Sequence, residues 1–107
     1  MNIAIGNNYF TLINIFTVEP ANQQKLVDLL ITATGDGVSK APGFICSALH
    51  KSIDGTKVTM YAQWESEALY QQMRANSQAS SALEEALKLA RFEPGMYEVV
   101  RIFEAGQ

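Results

Sequence analysis

Residues 44–65 read FICSALHKSIDGTKVTMYAQWE: two strand-like runs, Phe44 to Ile53 and Lys57 to Glu65, joined through Asp54-Gly55. An Asp-Gly pair favours a two-residue hairpin turn, because both residues tolerate the positive φ angles such a turn demands. A turn there sets the register. Ile53 faces Thr56, Lys51 faces Val58, Leu49 faces Met60, Ser47 faces Ala62 and Ile45 faces Trp64. Strand alternation puts this set on one face and His50, Cys46, Tyr61 and Gln63 on the other.

The flanks extend the pattern. Upstream, Tyr9 to Val18 (YFTLINIFTV) is aromatic and β-branched, as a strand requires, and Glu19-Pro20 ends it. Pro20 suits the first turn of a helix, where its missing N–H would be unpaired anyway. Leu26, Leu29, Leu30 and Ala33 then recur at helical spacing until the pattern weakens at Gly35-Asp36-Gly37, and Pro42-Gly43 stops it. Downstream, Ser66 can cap a helix carrying Leu69, Tyr70 and Met73. After a polar break from Ala75 to Ser80, Leu83, Ala86, Leu87 and Ala90 fall at i, i+3, i+4 and i+7, and Pro94-Gly95 ends that helix. Met96 to Glu104 is the expected last strand. The β-α-β-β-α-β order folds most simply into an α+β, ferredoxin-like domain: a four-stranded antiparallel sheet with helices on one face.

Composition sets the outer bounds. The 107 residues hold 8 Lys and Arg against 11 Asp and Glu, and 48% of them are hydrophobic, which describes one globular domain and excludes a disordered chain. Residues 1–8 read as a flexible N-terminal segment ahead of a domain over 9–107. A lone cysteine, Cys46, cannot pair within the chain and reads as a small buried hydrophobe. With no basic, apolar leader and no stretch of ~20 apolar residues, a cytoplasmic setting without membrane insertion is expected. Scattered and outnumbered positive charges argue against nucleic-acid binding.

One feature asks for a partner. The first strand is apolar on both faces, with Phe10, Leu12, Phe16 and Val18 on one and Ile13 and Ile15 on the other. Helices cover one face of such a sheet. The other would forgo about 25 cal/mol per Å² of apolar area left in water, so a second sheet from a symmetric homodimer is expected to cover it.

Asn14 interrupts the apolar face of the first strand, and a buried amide needs a partner: a neighbouring group, water or a ligand. Trp64 ends the third strand on the same face, where its ring either packs in the core or lies against a planar ligand. Leu12, Phe16, Leu49 and Met60 share that face, and Tyr70 and Met73 approach it from the next helix. These six are the expected substrate-binding residues. His50, the only histidine, falls on the opposite face with no nucleophile beside it, so a structural or interface role is expected. One His and one Cys cannot build a zinc site, and no glycine-rich phosphate loop follows a strand, so no metal or cofactor is expected. Glu84-Glu85 reads as a solvated helix face.

The run Ile13-Asn14-Ile15-Phe16-Thr17-Val18-Glu19-Pro20, the loop Ala41-Pro42-Gly43-Phe44, the stretch from His50 to Val58 and Tyr61-Ala62-Gln63-Trp64 together resemble the antibiotic biosynthesis monooxygenase family. The resemblance spans roughly Phe10 to Met73 and implies the family's dimeric α+β barrel. In quinone-forming members the functional pair is an Asn on the first strand and a Trp near the end of the third. Asn14 and Trp64 match those positions, which implies a catalytic role for both.

Such members oxygenate phenols such as anthrones with O2 and without metal or flavin. Close relatives often carry a second Asn four residues before the Trp, where this chain has Met60. A related branch opens haem with a helical His after the Trp strand; this chain has Arg74 in that vicinity, so haem degradation is disfavoured. The leading expectation is a cofactor-independent monooxygenase acting on a small aromatic, phenolic or quinol-type substrate. The alternative is a non-catalytic small-molecule-binding or stress-response dimer using the same pocket.

Overall fold

The computed structural model describes residues 9–106; the segment expected over 1–8 lies outside the described residues. Strand β1 (Phe10–Val18) is followed by a 3-10 turn at Pro20–Asn22, helix α1 (Gln23–Asp36) and a second 3-10 turn at Val38–Lys40. The hairpin strands are β2 (Phe44–Lys51) and β3 (Lys57–Trp64). Helices α2 (Glu67–Arg74) and α3 (Ser77–Leu87) precede the short strands β4 (Ala90–Glu93) and β5 (Met96–Tyr97). The sheet order is β2-β3-β1-β4, all antiparallel, with β5 also paired to β1. This is the expected ferredoxin-like topology.

The hairpin register holds from Lys51↔Val58 to Cys46↔Gln63, then slips at a bulge so that Phe44, not Ile45, faces Trp64. The turn also differs from a two-residue turn. Only Gly55 has positive φ (83°), and Ile53 is fully exposed. The Asp54 carboxylate explains this. It accepts hydrogen bonds from the Thr56 backbone N–H (3.0 Å), the Thr56 hydroxyl (2.7 Å) and the Ser52 hydroxyl (2.8 Å), a local network that replaces the mirror-image turn. Gln23 Nε2 ties the start of α1 to this hairpin through the carbonyls of Ser52 and Lys57, each at 3.0 Å.

Helix boundaries follow their capping residues. The Ser66 hydroxyl accepts from Leu69 N–H at the start of α2, as expected. Asn76 accepts from Gln78 N–H and starts α3 inside the stretch read as a polar break. Helix α3 stops at Leu87, short of Ala90, because Ala90 to Glu93 are drawn into the ladder of β1. There Phe92 stacks on Phe16 with ring centroids 4.8 Å apart.

The single last strand expected over Met96 to Glu104 is therefore two short strands on either side of Pro94-Gly95, and it ends at Tyr97. Tyr97 pairs with Thr11, one residue from the end of β1, so Glu98 onward runs out of ladder. Val100 and Phe103 are 82% and 80% exposed.

Helices pack on the face of Leu12, Phe16 and Val18, and the sheet does not close on itself within one chain. Two clusters form there: Phe16, Val18, Leu26, Val27, Val58 and Ala86 in one, and Leu12, Ala62, Trp64 and Tyr70 in the other. Gly43 lets α2 approach the second. Its φ is 89°, and a Cβ there would lie 2.6 Å from Leu69 Cδ1, so the position requires glycine.

Candidate active site

Between the two clusters the helix-covered face leaves a cavity of about 120 Å³. Strand β1 supplies Leu12, Asn14 and Phe16 to its wall, β3 supplies Met60 and Trp64, and α2 supplies Tyr70, Met73 and Arg74. The alternation of β1 forces this arrangement: Asn14 stands between Leu12 and Phe16, directly across from Met60 in the ladder. Its Oδ1 is buried and has no hydrogen-bond partner among the described residues. A buried, unpaired amide oxygen costs about 1–3 kcal/mol, so a ligand donor there is worth as much to binding.

Trp64 is 1% exposed and is held by two edge-on aromatic contacts, Phe44 at 5.4 Å and 86° and Tyr70 at 5.8 Å and 66°. Phe10 lies 5.4 Å from Tyr70 and extends the aromatic wall. Burial raises the Tyr70 phenol above its ordinary pKa, and the positive charge of Arg74 opposes that rise.

Residues 9–85 match the antibiotic biosynthesis monooxygenase family. The chain belongs to that family. It is 38% identical over 103 residues to the tetracenomycin-F1 monooxygenase of Streptomyces glaucescens, an alignment covering 96% of this chain and 92% of that protein. Solved structures with the same fold include SnoaB of Streptomyces nogalater, a cofactor-independent oxygenase (TM-score 0.73, 18% identity, 89% of this chain and 96% of that one). Another is protein SO0527 from Shewanella oneidensis (TM-score 0.79, 17% identity, 90% and 95% coverage).

The structure brings seven of the eight expected site residues of this monooxygenase-family chain to one cavity. Leu49 is the exception. It packs against the cluster of Phe16, Val18, Leu26 and Val58 and does not line the wall. Arg74 joins the site instead. Its signal in the sequence is spacing, four residues after Tyr70 and so on the same helix face. Phe44 joins because the bulge in β2 turns it toward Trp64.

A larger groove of about 590 Å³ runs outside the cavity between the end of α1 and helices α2 and α3. It shares Ala33, Val38, Met73, Ala79 and Ala82 with the inner wall, and Asp36 and Lys40 add charge to its rim.

The opposite face of the sheet carries Ile13, Ile15, Cys46, Ala48 and Tyr61, all partly buried, with His50 exposed near its end. Cys46, expected as a small buried hydrophobe, is only partly buried. Thr11 and Gln63 are buried there and joined by a 3.1 Å bond from Gln63 Nε2 to Thr11 Oγ1. Tyr61 Oη is buried with no hydrogen-bond partner among the described residues. Burial raises its pKa and Cys46 adds to the rise; the nearby Thr11 hydroxyl, too poorly placed for a hydrogen bond to Tyr61, opposes it weakly. Among the described residues no cluster of three or more His, Cys, Asp or Glu could hold a metal ion, and no helix is long and apolar enough to cross a membrane.

Proposed function

We propose that this chain is a cofactor-independent monooxygenase that oxidises a phenolic or quinol-type aromatic substrate with O2. The observation that carries the reading is Asn14 Oδ1, buried in an aromatic-walled cavity beside Trp64 and lacking a donor that a phenolic O–H would supply. The reaction needs little from the protein. A substrate with a reactive CH2 group para to its oxygen loses a proton, and the resulting anion passes one electron to O2. The substrate radical and superoxide then combine at that carbon and take up a proton to give a hydroperoxide. Loss of water leaves a C=O, with one oxygen atom in the quinone and the other in water.

Asn14 orients the substrate oxygen, Trp64 packs against the ring, and the largely apolar wall reduces the water that reaches the anion. The size of the cavity bears on the substrate. An apolar cavity of ~150 Å³ takes one benzene, so the inner space of about 120 Å³ suits a single ring. The remaining rings of a fused polycycle would lie in the outer groove, and the two spaces together reach the range of ~300–1,000 Å³ usual for ligand sites.

Oxygen uptake with a panel of anthrones and quinols tests the reading. Turnover of at least one is expected, lowered by Asn14→Ala and by Trp64→Phe. Met60 stands across from Asn14 and lacks a hydrogen-bond donor, which favours the rival reading of a non-catalytic binding or stress-response dimer. Tight binding of one compound with turnover of none would establish that rival.

The working unit in this proposal is a cytoplasmic homodimer whose sheets pack face to face into the dimeric α+β barrel. The helix-free face of Ile13, Ile15 and the unpartnered Tyr61 hydroxyl supports it. A monomeric mass by light scattering at micromolar concentration would remove it.

A further inference from the structure

We infer that Arg74 is the anion-binding residue of the inner cavity, so that a ligand with two phenolic groups is held there with one ionised against Arg74 and the other left to donate to Asn14 Oδ1. The inference rests on the reading of the cavity as a phenol site, and goes beyond it by naming the ligand's charge state and the side chain that selects it.

Among the described residues, Arg74 contributes the only formal charge to the inner wall; the other lining residues are apolar, hydroxyl-bearing or amide side chains. It is partly buried, and the one ion pair among the described residues is Lys88 with Glu85, so Arg74 has no carboxylate partner there. Without a counter-charge of its own, Arg74 is left available to an anion bound in the cavity. A bidentate guanidinium also supplies the donors that Met60 does not.

Tyr70 serves as an internal gauge. It is a phenol in the same wall, one helical turn before Arg74, and the guanidinium favours its ionised form against the effect of burial. A substrate phenol in the adjoining space meets the same field. The charged and titratable groups around Arg74 are few. Tyr70 comes from its own helix, α3 and the strands present none to the cavity, and Asp36 and Lys40 stand on the outer groove at the end of α1 and the turn after it. Those last two are opposite in sign.

The probe is alizarin, a dihydroxyanthraquinone that changes colour on ionisation and is not a substrate for further oxygenation of this kind. Its absorbance is titrated with pH on the wild-type protein, on Arg74→Gln and on Arg74→Lys, with unsubstituted anthraquinone as the neutral control. The wild type is expected to lower the apparent pKa of the bound dye by about one unit, an about tenfold preference for the anion. Arg74→Lys should retain most of that shift. Arg74→Gln should abolish it while binding anthraquinone as tightly as the wild type does, which also shows that the variant is folded.

An equal shift in Arg74→Gln, or no alizarin binding by the wild type, overturns the inference. Failure here and failure of the enzymatic reading are separable. A lost anion preference alongside measurable oxygen uptake removes Arg74 alone, and a preserved preference without any uptake leaves an anion site in a binding protein.

Discussion

Asn14 and Tyr61 lie one step apart in the β1–β3 ladder, Asn14 across from Met60 and Tyr61 across from Ile13. Each carries a buried polar atom with no partner among the described residues, and the pleat of the sheet sends them to opposite faces. Helices cover the Asn14 side and leave a partly open cavity the size of one aromatic ring. Among the described residues no helix covers the Tyr61 side. The same physical deficit therefore has two meanings: in a cavity under helices it asks for a small ligand, and on an open sheet face it asks for a second protein surface.

The largest expected effect is on the helix-covered side. Trp64→Ala removes the ring that joins Phe44 to Tyr70 and should cost about 3–5 kcal/mol of stability, read by denaturant unfolding. If Trp64 matters only as packing, Trp64→Phe would recover both stability and turnover. Recovery of stability with turnover still depressed separates the two roles.

Asn14→Leu divides function from stability more sharply. Oxygen uptake should fall about 10²-fold, the usual scale when a contact that positions the substrate is lost. The melting temperature should rise, since an unpaired buried amide is replaced by an apolar group of similar size. A destabilised Asn14→Leu would mean that the amide is satisfied within the fold.

On the open side, Ile15→Asp should leave each subunit folded but shift the mass to that of a monomer, because a carboxylate buried in an apolar interface has no counter-charge. Turnover per subunit would then tell whether the helix-covered cavity works without its partner. Tyr61→Phe is a milder test, expected to change stability by at most about 1 kcal/mol because the hydroxyl it removes is unpaired.

The smallest effect lies far from both faces. Three hydrogen bonds, from the Thr56 hydroxyl and backbone and from the Ser52 hydroxyl, lower the Asp54 carboxyl from 3.8 to about 2. A folded pKa below the unfolded one gives stabilisation that is fully present above pH ~4 and is lost as pH falls toward 2. Thermal melts of wild type and Asp54→Asn should therefore differ near neutrality and converge near pH 2. An unchanging difference would assign the effect to geometry alone.

The Asp54-Gly55 pair and the alternation on either side of it were enough to pair Lys51 with Val58 and Leu49 with Met60 and to put Met60 and Trp64 on one face; the β1–β3 pairing then sets Asn14 across from Met60. Sequence reasoning failed where a local pattern competed with a long-range one. Ala90 continues the helical spacing of Leu83 and Ala86, yet β1 takes it as a strand residue because Phe92 stacks on Phe16 there. Val100 to Phe103 carries strand-forming residues, but β1 ends before it can pair with them. Leu49 has the right face and the wrong position along it, so it packs against the closed cluster and not the cavity.

The order of elements, the hairpin register, the two-faced apolar character of β1 and the odd amide at Asn14 were properties of the sequence by itself, because alternation and turn chemistry act over a few residues. The tertiary structure decided which apolar face leaves a void, and that Arg74 lines it. It also decided that the bulge at Ile45 turns Phe44 onto Trp64. Those outcomes depend on how far α2 and α3 stand from the sheet, a distance set by the packing of whole elements and written in no local stretch of chain.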